Sequence, residues 1–165
     1  LYRGDVGEAR RLAAEGARTG RNPEERVGAR LFGARLEADL GRDREALAEA
    51  EVDLSEKVKE SKLLAEGHAM RALCLTRLGR KAEAIAEGER GVALVPVSRD
   101  ALVGAYIQFQ LVRIYLLVGE PEKALDQLES LLKIPYYLSP GWLEIDPTFA
   151  PLRGNPSFER LVNGS

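Results

Sequence analysis

Apolar and polar residues alternate along this chain with the period of a helix, not of a strand. In GHAMRALCLTRLG (67–79), Met70, Leu73, Cys74 and Leu78 fall along one stripe, the three-to-four-residue spacing of a single helix face. In the following stretch, GRKAEAIAEGERGVALV (79–95), Ala84, Ile85, Gly88, Val92 and Val95 form an inner face, and Lys81, Glu83, Glu87 and Arg90 are expected outside. Gly79 stands between the two. A glycine enters positive φ at little steric cost, so it can end one helix in a left-handed cap and turn the chain. The pattern therefore predicts an antiparallel pair: helix, glycine turn, helix.

The pair is repeated. LYRGDVGEA (1–9), DLGRDREAL (39–47), RLGRKAEAI (77–85) and LVGEPEKAL (117–125) each place an alanine five residues after a glycine, with an acid or a lysine just before the alanine. The glycines are Gly4, Gly41, Gly79 and Gly119, spaced by 37, 38 and 40 residues, and the alanines are Ala9, Ala46, Ala84 and Ala124. A fixed period of this length signals stacked supersecondary units. One helix pair cannot cover its own apolar face and must lie against the next. Other punctuation agrees: Asn22-Pro23-Glu24-Glu25 and Glu120-Pro121 read as helix starts, and Ser98 is the expected cap of a helix over 99–118.

These residues resemble the tetratricopeptide repeat. With Gly79 as its turn glycine, Ala72 falls on the small residue of the first helix, Leu75 on its larger apolar partner, Ala84 on the small residue of the second helix and Pro96 on the closing proline. Leu111, Tyr115, Ala124 and Leu128 take the matching places in the last repeat, with the proline one residue early at Pro135; in 23–60 Ala34 and Ala46 match. Three positions depart: Glu37 stands where a large apolar residue is usual, and His68 and Gln108 where a large aromatic is usual. The resemblance implies an all-α, right-handed α-solenoid over 1–135, made of a half repeat (1–20) and repeats of about 23–60, 61–97 and 98–135. Residues 5–20 are then the second helix of a repeat whose first helix lies upstream, in a longer protein.

After Pro135 the pattern changes. The segment 136–165 is rich in proline and aromatics, with Tyr136, Tyr137, Trp142, Phe149 and Phe158. Asp146-Pro147 and Asn155-Pro156 predict two short helices. Trp142, Phe149 and Phe158 are expected to cover the apolar end of the last pair, and Arg153 is expected to pair with Asp146. The run from Leu131 through Ile134-Pro135, Ser139-Pro140, Asp146-Pro147 and Pro151-Leu152-Arg153 to Pro156 and Phe158 resembles the close of repeat arrays in large bacterial regulatory proteins. Such arrays are joined to serine/threonine kinase, adenylate cyclase or winged-helix modules.

Composition narrows the function classes. With 45% apolar and 30% charged residues and a formal charge of −2, the chain is a folded domain without the basic face that nucleic acid demands. The longest apolar run, Ile114 to Val118, is too short to span a bilayer. A lone histidine, His68, precludes a two-histidine metal site, and a lone cysteine, Cys74, precludes a disulfide framework. Cys74 sits in an apolar stripe with nothing basic beside it, which favours an inert thiol. No phosphate-cradling glycine loop is present.

The expected function is consequently interaction, without catalysis, cofactor or metal, in the cytoplasm. The repeat phase implied by the resemblance places Arg35, Leu73, Arg77, Tyr106, Phe109 and Arg113 along a concave groove, where arginines beside aromatics suit an acidic or extended peptide. The expected partners are a protein or peptide, the chain's own upstream catalytic module, or a second copy; neither nucleic acid nor membrane is expected. Asn22, Asn155 and Asn163 all lie outside the first helices, so the asparagine clamp by which some tetratricopeptide proteins hold a terminal carboxylate is not expected.

Overall fold

The computed structural model describes residues 5–51 and 60–163, and among them every regular element is helical. Gly4 lies outside the described residues. The chain divides into two compact units, one running to Leu94 and the other starting at Val95.

The first unit holds α1 (Val6–Thr19), α2 (Pro23–Asp39), α3 (Asp43–Ala50), α4 (Ser61–Arg77) and α5 (Lys81–Leu94). Asp5 caps α1 by accepting from the amides of Gly7 and Glu8, and Asn22 caps α2 by accepting from that of Glu25 at 2.8 Å. Each helix packs on the next: α1 on α2, α2 on α3, α3 on α4 and α4 on α5. The α1–α2 contact is made close by small residues. A methyl added at Gly16 would lie 2.9 Å from the Ala29 methyl, inside any normal contact.

The second unit holds α6 (Ala101–Val118), α7 (Pro121–Leu132), α8 (Pro140–Ile145), a 3-10 helix (Pro147–Leu152) and α9 (Pro156–Asn163). α6 packs on α7, the 3-10 helix on α6, and α9 on both α7 and α8. The core of this unit includes Phe149, Phe158, Leu128, Leu131, Leu143 and Leu152 with Ile107, Val112 and Ile114 of α6, all essentially sealed from solvent. Phe149 stacks on Phe158 at 6.3 Å and tilts against Phe109 of α6 at 6.3 Å, while Trp142 stays 41% exposed. By length and composition α6 could cross a membrane, and 67% of it is buried inside the folded chain.

The three described turn glycines are built alike. Gly41, Gly79 and Gly119 have φ of 74°, 76° and 83°. Each donates its N–H to the carbonyl three residues back (Ala38, Thr76, Leu116), and the next residue (Arg42, Arg80, Glu120) donates to the carbonyl five back (Glu37, Leu75, Tyr115) at 2.8–2.9 Å. This is the paired closure that satisfies the last carbonyls of a helix and needs a left-handed residue at its centre. The alanines that follow, Ala46, Ala84 and Ala124, are fully buried, whereas Ala9 is half-buried.

Local expectations are corrected in three places. Asp100, not Ser98, caps α6, accepting from Leu102 and Val103 amides at 3.1 and 2.9 Å; its carboxylate sits directly before the first helical residue, where the free N–H groups point. Arg153 donates to the Glu144 carbonyl at 3.1 Å, while Asp146 accepts from the Thr148 amide. The helix α8 was not anticipated, although Ser139-Pro140 carries the same cap-then-proline signature as its neighbours, with Ser139 accepting from the Trp142 amide.

Candidate interaction surfaces

The six residues assigned to a groove fall three in each unit. In the first, Arg35 is exposed on α2 and pairs with Asp39 one turn on at 3.4 Å, and Leu73 is half-buried on α4. Arg77 is engaged internally. It donates to the Ala38 carbonyl and to Asp43 Oδ1, both at 3.0 Å, and so ties the end of α4 to the α2–α3 turn.

In the second unit the structure brings Tyr106, Phe109 and Arg113 up against the tail. Phe109 is buried, edge-on to Tyr137 at 5.7 Å and tilted against Phe149 at 6.3 Å. It is core, not open surface. Tyr106 is 40% exposed, and Tyr137 meets Trp142 edge-on at 6.2 Å with both partly in solvent. Arg113 donates to Gln110 at 2.9 Å. Burial, followed by the neighbouring Tyr137, pushes the Tyr136 hydroxyl well above the ordinary tyrosine range. The exposed part of this patch is thus an aromatic shelf of Tyr106, Tyr137 and Trp142.

His68 and Gln108 each join a polar pair across their hairpin. His68 Nδ1 lies 2.8 Å from Glu87 Oε2, and Gln108 Nε2 donates to Gln127 Oε1 at 3.0 Å, each pair 19 residues apart across its hairpin. This corrects the placement of Glu87, which is 5% exposed rather than outside. Its second oxygen accepts from Arg90 at 2.7 Å, and Arg71 Nε approaches Oε2 at 3.3 Å. A carboxylate can be buried here because it is matched by donors on both its oxygens. Helix periodicity within α5 alone hides this; the signal is that Glu87 and Gln127 share a repeat phase, each opposite a polar residue.

The first unit also carries two clefts in the same register. The larger, about 440 Å³, lies among α1, α2 and α3 and is lined by Arg10, Ala13, Gly33, Glu37, Glu45 and Glu49 among others. The smaller, about 280 Å³, is lined by Leu47, Arg71, Leu75, Glu83, Glu87 and Arg90 among others. The 38-residue spacing of Gly41 and Gly79 carries Gly33 onto Arg71, Glu37 onto Leu75, Glu45 onto Glu83 and Glu49 onto Glu87, and the 37-residue spacing of Ala9 and Ala46 carries Arg10 onto Leu47. The leucine pair of the second cleft is therefore an ion pair in the first, where Arg10 grips both Glu37 oxygens through Nε and Nη2. That grip holds the Glu37 carboxyl below the usual glutamate range and accounts for an acid at an apolar repeat position.

Comparison with protein families, with curated proteins and with solved structures finds no match to this chain. The functional reading rests on the geometry.

Cys74 is fully buried, and burial, with Asp43 nearby, pushes its thiol up to about 11. At that value the nucleophilic thiolate is scarce at neutral pH.

Proposed function

We propose that this chain is a non-catalytic protein-interaction scaffold, a tetratricopeptide-like α-solenoid that binds a peptide or protein segment of a partner and serves as the docking part of a larger bacterial regulator. The observation that carries the reading is the triple recurrence of one glycine closure at Gly41, Gly79 and Gly119. Hairpins closed alike hold their surface side chains in register, as repeat proteins do to build extended binding surfaces. The exposed shelf of Tyr106, Tyr137 and Trp142 and the exposed Arg35 are surfaces of the kind that peptides use. Fold alone assigns no function, so these exposed surfaces support the reading beside the recurrent closure.

The test is selection of a random peptide library on the immobilised chain, repeated on Arg35→Glu/Tyr106→Ala. Both positions are exposed, whereas Arg77 and Phe109 would damage the fold when changed. Sequence-specific enrichment on the parent that falls on the variant supports the scaffold; no enrichment above an unrelated helical protein overturns it.

A second reading, an architectural or dimerisation element that packs on its own kinase or cyclase module, is favoured by large apolar side chains left in solvent on α1 and α2, among them Leu12 at 53% and Phe32 at 55%. Light scattering separates the two. Concentration-dependent dimers abolished by Leu12→Glu or Phe32→Glu support the second.

A further inference from the structure

The two clefts of the first unit differ at one residue that matters for binding. In the smaller cleft, Arg71 rises from α4, its side chain only 26% exposed, and brings Nε to 3.3 Å from Glu87. In the larger cleft the same repeat position is Gly33, so the floor offers no side chain. A methyl built at Gly33 would meet only the Ala13 methyl, at an ordinary 3.5 Å. The space is open, and the cleft is correspondingly larger, about 440 against about 280 Å³.

The charges left behind match the missing group. Glu49 occupies the place of Glu87, and Glu45 that of Glu83, which in the second cleft is held by Arg80 through two hydrogen bonds. Among the described residues neither Glu45 nor Glu49 forms an ion pair, while Glu37 already has Arg10 and, at 3.7 Å, Arg42. The lining thus holds two arginines against three carboxylates, around a floor of alanine and glycine. Small apolar residues accommodate an aliphatic stem, and the carboxylates of Glu49 and of Glu45, the latter already in the field of Arg10, accept the planar fork at its end.

We propose that the cleft over Gly33 receives an arginine side chain from a partner peptide, its stem over Ala13 and Ala29 and its guanidinium on Glu49 and Glu45. The chain's own Arg71, with Nε 3.3 Å from Glu87, shows the Glu49 half of this contact one repeat later, while Glu83, the counterpart of Glu45, is held there by Arg80. The inference rests on the scaffold reading above and names the partner's chemistry: a basic peptide with an exposed arginine. Lysine has the charge without the bidentate fork, so it is the weaker occupant.

The test follows the methyl signals of Ala13, Ala29 and Ala48 by NMR during titration with a capped Gly-Gly-Arg-Gly-Gly peptide. Lysine and citrulline versions serve as comparisons, and Gly33→Arg and Glu49→Gln as variants. Saturable shifts are expected with the arginine peptide, at least about fivefold tighter than with lysine, weakened about threefold or more by Glu49→Gln and abolished by Gly33→Arg, whose own side chain fills the cleft. Absence of saturation, equal binding of citrulline, or undiminished binding to a helical Gly33→Arg overturns the proposal. If Gly33→Arg loses its helical spectrum, Glu45→Gln/Glu49→Gln on the exposed side of α3 decides, unchanged affinity being the contrary result. Library ligands that lack arginine and still bind Gly33→Arg would leave the scaffold standing and remove this pocket.

Discussion

Glu87→Ala isolates the buried polar contact between the two helices of the α4–α5 hairpin. The substitution removes the acceptor for His68 Nδ1 at 2.8 Å and Arg90 Nη1 at 2.7 Å, together with the charge facing Arg71 at 3.3 Å. Side-chain exposures of 15% for His68, 26% for Arg71 and 65% for Arg90 decide how much each loss matters. The Arg90 pair is solvent-screened and contributes at most about 1 kcal/mol. The His68 bond, buried and to a carboxylate, is worth about 1.5–3 kcal/mol. Breaking a fully buried pair costs about 3–5 kcal/mol, an upper bound here because Arg71 and Arg90 both reach water. The expected loss is therefore about 2–4 kcal/mol, and about half of that for Glu87→Gln, which keeps one carbonyl acceptor. Glu49→Ala, at the same repeat position but exposed, is expected to stay within about 0.5 kcal/mol. Urea unfolding followed by far-UV circular dichroism measures all three, with an unchanged slope required for the comparison. If Glu87→Ala costs no more than Glu49→Ala, the buried network is not a stabilising feature and the reasoning fails.

Three further outcomes are expected. Gly79→Ala and Gly41→Ala place a methyl in open space, so each costs only the backbone strain of positive φ, about 1–2 kcal/mol; Gly104→Ala, whose methyl would lie 2.8 Å from the Val97 backbone, costs more in a thermal melt, and equal losses at all three would contradict this. The Glu37 carboxyl is lowered in the native state by Arg10, so its contribution to stability is present above the ordinary glutamate value of 4.5 and is lost as pH falls through the lower native value. The urea midpoint of Glu37→Gln should fall less than that of the parent from about pH 5 to about pH 3, and parallel curves would show that the pairing does not act. Cys74 should resist a thiol reagent in native buffer and label on unfolding, because it is fully buried and its thiol is pushed up to about 11; complete labelling before any helix is lost would be inconsistent.

The elements legible in the sequence are those governed by single residues. A glycine that must take positive φ shows itself wherever it recurs, and Gly41, Gly79 and Gly119 lie at equivalent bends. Cap-then-proline pairs likewise announce the starts of α2, the 3-10 helix and α9. What stayed hidden depends on residues far apart in the chain. Glu87 reads as a surface acid until His68 and Arg71 are brought beside it, and Glu37 reads as a misfit until Arg10 arrives from α1. Phe109 reads as a groove aromatic because periodicity cannot say that Tyr137 and Phe149 fold back over it. The clefts were equally invisible, since a cleft at Gly33 is recognised only once Arg71 is seen filling its counterpart.

The central claim is that the hairpins are copies of one another, closed by the same turn. Hydrogen exchange and backbone couplings of the isotope-labelled chain test it most directly. The account predicts positive φ at Gly41, Gly79 and Gly119, with slow exchange of the Arg42, Arg80 and Glu120 amides that donate five residues back to Glu37, Leu75 and Tyr115. Fast exchange at any one of those three amides, or a negative φ at its glycine, would mean that the hairpins are not equivalent and would contradict the account.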